Sequence, residues 1–261
     1  MVKSRPIVLL TDFGTKDSYV GSIKGVILTL FPKATIADLT HEVEPQDVRQ
    51  AAFLLEWTYP FFPRGSVFVC VVDPGVGSHR RILAAKTRHG IFLAPDNGLL
   101  SRVLDQEKAY EARVVTNRSF FAENISATFH GRDCFAPTAA RLAKNPGLFS
   151  RLGPKITDFV RLPDAKPKKF PGKLCGEIFL FDHFGNAFLN VPRSMLTKNP
   201  HRVVVKGRDL GPIRRSYYEV KKGKAVAVFN SMNLLEIAVN QGSARDKLKL
   251  KTGDRVEIIE E

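Results

Sequence analysis

An apolar run that ends on a carboxylate constrains this chain more than any other feature. Val67-Phe68-Val69-Cys70-Val71-Val72 holds no polar residue and reads as a buried strand. It passes directly into Asp73-Pro74-Gly75-Val76-Gly77-Ser78-His79-Arg80, where a proline and two glycines force a loop. The first strand, Ile7-Val8-Leu9-Leu10, ends the same way in Thr11-Asp12-Phe13-Gly14. In open α/β sheets ligands bind beyond the carboxyl ends of the strands. Two strand-end aspartates therefore predict one shared site, to which Phe129-His130-Gly131-Arg132-Asp133 adds an imidazole flanked by charge.

The rest of the first half alternates strand and helix signals. Apolar residues Val20, Ile23, Val26, Ile27 and Leu30 share one helical face over 18–30, and Pro32 stops it. A short strand follows at 34–38. Pro45 suits the first turn of a helix that runs to about Tyr59. Runs 82–87 and 90–94 read as a hairpin across His89-Gly90, and 133–144 as a helix closed by Asn145-Pro146-Gly147. Such alternation argues for an α/β domain over 1–153, sandwich-like, with a largely parallel sheet. Prolines and lysines give 154–173 a linker composition. Beyond it, over 174–261, short β-like runs at 175–181, 202–206, 225–229, 234–239 and 255–259 are separated by Gly and Asn turns. They predict a smaller β domain, a barrel or sandwich.

Composition closes off several classes. A chain of 261 residues with 44% hydrophobic content can build one large core or two smaller ones. No apolar run approaches the ~20 residues that span a bilayer, and the first is too short for a signal sequence. A cytoplasmic protein with no membrane partner is expected. Three scattered cysteines form neither a disulfide framework nor a zinc motif. The net charge of +14 admits nucleic-acid binding. The basic residues are, however, dispersed among acids, without an aromatic-interleaved RNA signature, so a solvated surface and no nucleic-acid partner are expected.

Asp73, Arg80 and His130 together can hold a water as it becomes hydroxide-like. The carboxylate orients, the guanidinium supplies fixed donors, and the imidazole exchanges protons near neutrality. A metal site is the rival, since Asp12, Asp17, Asp73, Asp96, His130 and Asp133 could supply ligands. Yet no HxH, HExxH or paired-Asp motif appears, and no metal or cofactor is expected. Asp12-Phe13-Gly14 spells a kinase motif without a kinase lobe ahead of it, and Gly75-Val76-Gly77 lacks the third glycine of a dinucleotide fingerprint. In the second half, Phe181-Asp182-His183-Phe184-Gly185-Asn186-Ala187-Phe188 offers a carboxylate, an amide and rings suited to a nucleobase. The same residues also suit a hairpin with its Phe packed inside. From residues alone three functions stay open: a hydrolase activating water, a metal-assisted nucleotide hydrolase, and a non-catalytic nucleoside- or nucleic-acid-binding module.

Six segments, in this order, resemble the S-adenosyl-L-methionine (SAM) hydroxide adenosyltransferases, kin of the fluorinating and chlorinating SAM enzymes. They are Thr11-Asp12-Phe13-Gly14, Val72-Asp73-Pro74-Gly75-Val76-Gly77 with Arg80, Ala94-Pro95-Asp96-Asn97-Gly98, Phe129-His130-Gly131-Arg132-Asp133, Asp182-His183-Phe184-Gly185-Asn186, and Leu235-Glu236-Ile237-Ala238-Val239-Asn240-Gln241-Gly242. The resemblance runs nearly end to end. It implies hydrolysis of SAM to adenosine and L-methionine by attack of activated water on the ribose 5′-carbon, with Asp73, Arg80 and His130 as the catalytic trio. It also implies that Asp12 takes the ribose hydroxyls and Asn186 reads adenine beside Phe184 or Phe188. Asp182 and Ser231 would hold the methionine amine, and Glu236 joins the substrate-binding set. SAM is then substrate rather than cofactor. The protein would be a homotrimer, its sites between the first domain of one subunit and the second of its neighbour. Met232-Asn233 departs from the aromatic-glycine pair expected after Asn230-Ser231, which bears on the methionine side of the site. An anionic Asp73 disfavours a bare halide, so halogenation is not expected.

Overall fold

The structure, a computed structural model, describes residues 5–163, 166–197 and 201–260. Asp164 and Ala165, inside the stretch read as a linker, lie outside them, as do the outermost residues of both predicted domains. The chain divides into two compact units, Met1–Leu162 and Pro163–Glu261.

In the first unit the order is β1 (Ile7–Thr11), α1 (Tyr19–Leu30), β2 (Ile36–Thr40), α2 (Val48–Thr58), β3 (Ser66–Val71), β4 (Ile82–Thr87), β5 (Gly90–Pro95), α3 (Ser101–Glu107), β6 (Tyr110–Val114), α4 (Ala136–Lys144) and β7 (Lys155–Ile156). The strands form one sheet in the order β2-β1-β3-β5-β4-β6-β7. The first four in that order run parallel, and the rest continue antiparallel through the β4–β5 hairpin read from His89-Gly90. Alternate residues of β1 enter opposite cores. Ile7 and Leu9 pack with α1 and α4, while Val8 and Leu10 pack with α2 and α3. A sheet covered on both faces explains the unbroken apolar runs of β1 and β3, whose residues are all buried.

Local chemistry moves some boundaries. α2 begins behind Asp47, whose side chain accepts from the Gln50 amide as an N-cap, so Pro45 lies ahead of the helix rather than in its first turn. β2 sits two residues later than its apolar residues suggest. α4 is preceded by a wide turn over Gly131–Phe135 whose hydrogen bonds reach five residues back. α3 has no side-chain cap and β6 is only half-buried, so neither has a strong pattern in the sequence.

The second unit runs β8 (Lys168–Phe170), β9 (Lys173–Phe181), β10 (Ala187–Pro192), β11 (His201–Val205), β12 (Arg208–Arg214), β13 (Ala225–Phe229), β14 (Leu234–Val239), α5 (Ala244–Leu248) and β15 (Arg255–Glu260). Pairing of β9 with β10 closes β9, β10, β14, β13, β12, β11 and β15 into a seven-stranded barrel, and β8 extends β9 at its side. Closure removes the open edges that a small sheet would expose. Ile178, Leu189, Val203, Ile237 and Val256 fill its interior. Of the two β architectures open to the sequence, the barrel is the one formed.

Candidate active site

β1 leads outward to β2 on one side, and β3 lies on its other side, so the strand order reverses between β1 and β3. This is the switch point at which open α/β sheets bind ligands. Thr11 pairs with Val71 at the carboxyl ends of these strands, which brings Asp12 and Asp73 to the same edge of the sheet. Asn97 holds the end of β3 by donating from Nδ2 to the Val72 carbonyl at 2.8 Å. The loop then folds on itself: the Val76 amide donates to Asp73 O, and the Ser78 amide and hydroxyl both donate to Gly75 O. Gly77 takes φ +79°, and a Cβ there would stand 2.5 Å from the Ala127 carbonyl oxygen. Only glycine lets this loop lie so close to the segment that carries His130.

Arg80 returns from that loop onto Asp73. Its Nε lies 3.0 Å from both carboxylate oxygens, and Nη2 also donates to Oδ2. Both side chains are almost wholly buried, at 10% and 5% exposed. The guanidinium also lies over the Phe135 ring, 5.8 Å from its centroid. From the other side, Nη2 reaches His130 Nδ1 at 2.8 Å. Arginine has no acceptor, so Arg80 donates and Nδ1 must carry a lone pair. The neutral imidazole therefore bears its proton on Nε2. Burial, and next the Arg80 cation, hold His130 below its ordinary value, against the opposing charges of Asp73 and Asp133. The trio is thus a carboxylate, a cation locked to it, and a neutral imidazole whose free edge is an N–H donor.

The neighbouring charges are committed to the scaffold. Asp133 pairs with Arg132 and accepts from the Ser126 amide, which shapes the loop leading to His130. Asp96 pairs with Arg81 and accepts from the Val160 amide. Asp12, half-buried, accepts from the Gln46 amide through Oδ2 at 2.8 Å. Among the described residues, no group of three or more His, Cys, Asp or Glu side chains is arranged to hold a metal ion.

In the second unit Asp182 and Asn186 build the β9–β10 turn. Asp182 Oδ1 accepts from the Phe184 and Asn186 amides, and Oδ2 accepts from Asn186 Nδ2 at 2.9 Å. Gly185 has φ +79° and presses on Ser243, which fixes the turn against α5. The ring of Phe184 is 73% exposed, whereas Phe188 is buried, outside the set of side chains that fills the barrel. Asp182, Phe184 and Asn186 line an open groove of about 540 Å³ together with Tyr217, Tyr218 and Gln241. Glu236, only 1% exposed, accepts a hydrogen bond from the Tyr217 hydroxyl at 2.7 Å. Burial, with the nearby charge of Asp182, raises its carboxyl above the ordinary range. Ser231 is exposed beside a turn in which Asn230 Oδ1 accepts from the Met232 and Leu234 amides. Tyr217 and Tyr218 are groove residues that no motif in the sequence marks. Their one signal was two adjacent rings in the polar stretch Arg214-Arg215-Ser216-Tyr217-Tyr218-Glu219.

Comparison with known proteins agrees across the whole chain. Residues 7–153 match the family model described as the SAM hydroxide adenosyltransferase N-terminal domain, and residues 176–257 match the C-terminal domain of the same family. The (R)-S-adenosyl-L-methionine hydrolase of Thermus thermophilus is 40% identical, covering 98% of this chain and all of its own. That of Salinispora arenicola is 37% identical over 97% of each chain. A fluorinase of Nocardia brasiliensis is 28% identical over 97% of each. The crystal structure of an uncharacterized conserved protein from Thermotoga maritima superposes with a TM-score of 0.89 at 39% identity, covering 97% of this chain and 99% of its own.

Proposed function

The chain belongs to the SAM hydroxide adenosyltransferase family and hydrolyses S-adenosyl-L-methionine to adenosine and L-methionine, and we propose that Asp73, Arg80 and His130 hold the attacking oxygen. The observation that carries this reading is the donation from Arg80 to His130 Nδ1. It leaves Arg80 and the Nε2–H of His130 as donors beside a buried carboxylate, a setting that favours an oxygen gaining negative charge. A new bond forms from that oxygen to the ribose 5′-carbon as the bond from carbon to sulfur breaks. The electron pair stays on sulfur, and methionine leaves as a neutral thioether that needs no acid. One proton is released per turnover. With Nδ1 occupied and Nε2 protonated, His130 is a donor here rather than the base, so the proton passes to solvent. Hydroxide character and the sulfonium charge attract, more strongly in a site with little water.

Recognition follows the same reading. Asp12 accepts from the ribose hydroxyls, Asn186 meets the adenine edge, and Phe184 lies beside the ring, with Phe188 as the second aromatic residue of that set. Asp182 and Ser231 take the methionine amine, and Glu236 completes that set. The relatives are named for the (R) epimer at sulfur, and we read the same preference here. The reading needs no metal or cofactor, and places the enzyme in the cytoplasm as a homotrimer with sites completed across subunits. No helix among the described residues is long and apolar enough to cross a membrane.

Incubation of the chelator-treated enzyme with a mixture of SAM epimers tests the reaction. Equimolar adenosine and methionine should form, with the (S) epimer left behind. Loss of turnover on chelation would favour metal assistance, and salt-sensitive polynucleotide binding without turnover would favour a binding module. Light scattering should give three times the chain mass.

The pH profile tests the trio. Protonating His130 would put an N–H against Arg80, so turnover should fall as the imidazole charges. Because burial and Arg80 lower its pKa, that fall should lie below the ordinary histidine value of 6.5. Asp73→Asn removes a charge that raises the pKa, and should move the fall lower still. An acid limb at or above 6.5 would contradict the assignment.

A further inference from the structure

The hydroxide trio leaves unused a second buried polar cluster, placed directly beneath Asp12. Thr11 is fully buried and His41 is 4% exposed. Thr11 Oγ1 lies 2.8 Å from His41 Nδ1, and also accepts from the Phe13 amide at 3.2 Å. That second bond closes a turn around Asp12, since its partners flank this one residue. The Gly14 amide donates to the His41 carbonyl at 2.8 Å. His41 Nε2 lies 3.1 Å from Asp38 Oδ1, off the hydrogen-bonding line, and Asp38 Oδ2 pairs in turn with Lys24 Nζ at 2.7 Å.

The strand pairing shows why the cluster exists. Leu9 pairs with Asp38 but Leu10 pairs with Thr40, so β2 carries one extra residue at its end. Such a bulge re-aims the side chains that follow it. Here it brings His41 under Thr11. Three hydrogen bonds then tie the Asp12 loop to 38–46: Thr11 through the His41 ring, Gly14 through the His41 carbonyl, and the Asp12 carboxylate through the Gln46 amide. Gln46 donates from a left-handed conformation, φ 67°, a strained geometry that persists only where the surroundings enforce it.

We propose that His41, acting through Thr11, is a positioning residue that sets the angle of the Asp12 carboxylate toward the vicinal hydroxyls of the substrate's ribose. Neither side chain touches the substrate. Thr11 is fully buried, which also removes it as a nucleophile despite its Thr-His-Asp company. The proposal rests on Asp12 as the ribose acceptor, and so its test has to separate the two.

Calorimetric binding of adenosine and 2′-deoxyadenosine does so. The wild-type enzyme should prefer adenosine, by about tenfold for one hydrogen bond to a carboxylate. Asp12→Ala should abolish that preference. If the wild type shows no preference, or Asp12→Ala keeps it, the ribose assignment of Asp12 fails, and the proposal with it. If Asp12→Ala loses the preference while Thr11→Val and His41→Leu keep it, the positioning proposal alone is overturned. The expected result is that Thr11→Val and His41→Leu each reduce the preference severalfold, and that together they reduce it no further. KM for SAM should rise about tenfold in each, with kcat nearly unchanged, because the hydroxide trio stands on another loop. Thr11→Ser keeps the hydroxyl and should restore wild-type discrimination, and so guards against a folding defect. An equal loss in Thr11→Ser and Thr11→Val would overturn the proposal by showing that packing, not the hydrogen bond, matters.

Discussion

The two strand-end loops of the first unit and the β9–β10 turn of the second solve opposite problems with the same residue types. In the first, Asp73 accepts from a buried arginine that also reaches His130, and the acceptor and donors interlock across sequence separations of 7 and 50 residues. In the second, Asp182 accepts within four residues of itself, and its aromatic neighbour Phe184 stands in solvent. The first arrangement is preorganised for charge, and its charges depend on one another to stay buried. The second is preorganised by one local turn and leaves a ring exposed. Variants in the Asp73–Arg80–His130 network should therefore lose stability and chemistry together, and variants in the β9–β10 turn should separate the two.

Arg80→Ala should show the largest effect. It leaves Asp73 buried without its partner, at a cost of about 3 kcal/mol in denaturant unfolding. It also removes the donor proposed for the attacking oxygen, so kcat should fall about a thousandfold. Arg80→Lys returns a charge but not the planar fork that meets Asp73 and His130 at once, and should recover stability better than turnover. Near-native turnover in either variant would dissolve the contrast with the second unit. Gly77→Ala comes next. It asks a Cβ to occupy space 2.5 Å from the Ala127 oxygen at positive φ, and should cost about 2 kcal/mol. Because Ala127 lies three residues before His130, kcat should fall with it. A stable variant that retains full turnover would show that the loop contact does not set His130.

How much of this could be read in advance differs between the same two regions. β1 and β3 declared themselves because burial on both faces forbids polar residues, and their carboxylate ends followed from a general rule of α/β sheets. That Asp73, Arg80 and His130 belong together was legible as chemistry, although the sequence held no sign of which imidazole nitrogen faces Arg80. That fact depends on a contact across 50 residues. The Thr11–His41 contact was invisible for the same reason, since it needs the one-residue bulge between β1 and β2. In the second unit β13 and β14 were legible as short apolar runs bounded by turn residues. β12 was not, because it is a polar and mostly exposed strand stabilised by its neighbours in the closed barrel. Tyr217 becomes part of the groove only through its bond to Glu236, 19 residues on.

Asp182→Ala sharpens the comparison at smaller amplitude. It deletes the acceptor for two turn amides and the Asn186 side chain, so thermal unfolding should report about 1–2 kcal/mol. Asn186 would lose its support as well, and KM should rise. Phe184→Ala should be smallest by the same thermal measure. The ring is mostly in water, so truncating it removes little buried area and should leave stability within about 0.5 kcal/mol of wild type. Stacking on a base is worth about 1–3 kcal/mol, so adenosine binding should weaken about tenfold while the fold is untouched. That dissociation is what an open recognition surface predicts and a buried charge network forbids. If Phe184→Ala lowered stability as much as Asp182→Ala, the ring would be part of the turn's packing. The nucleobase would then have to rest on Tyr217 or Tyr218, the other rings of the same groove.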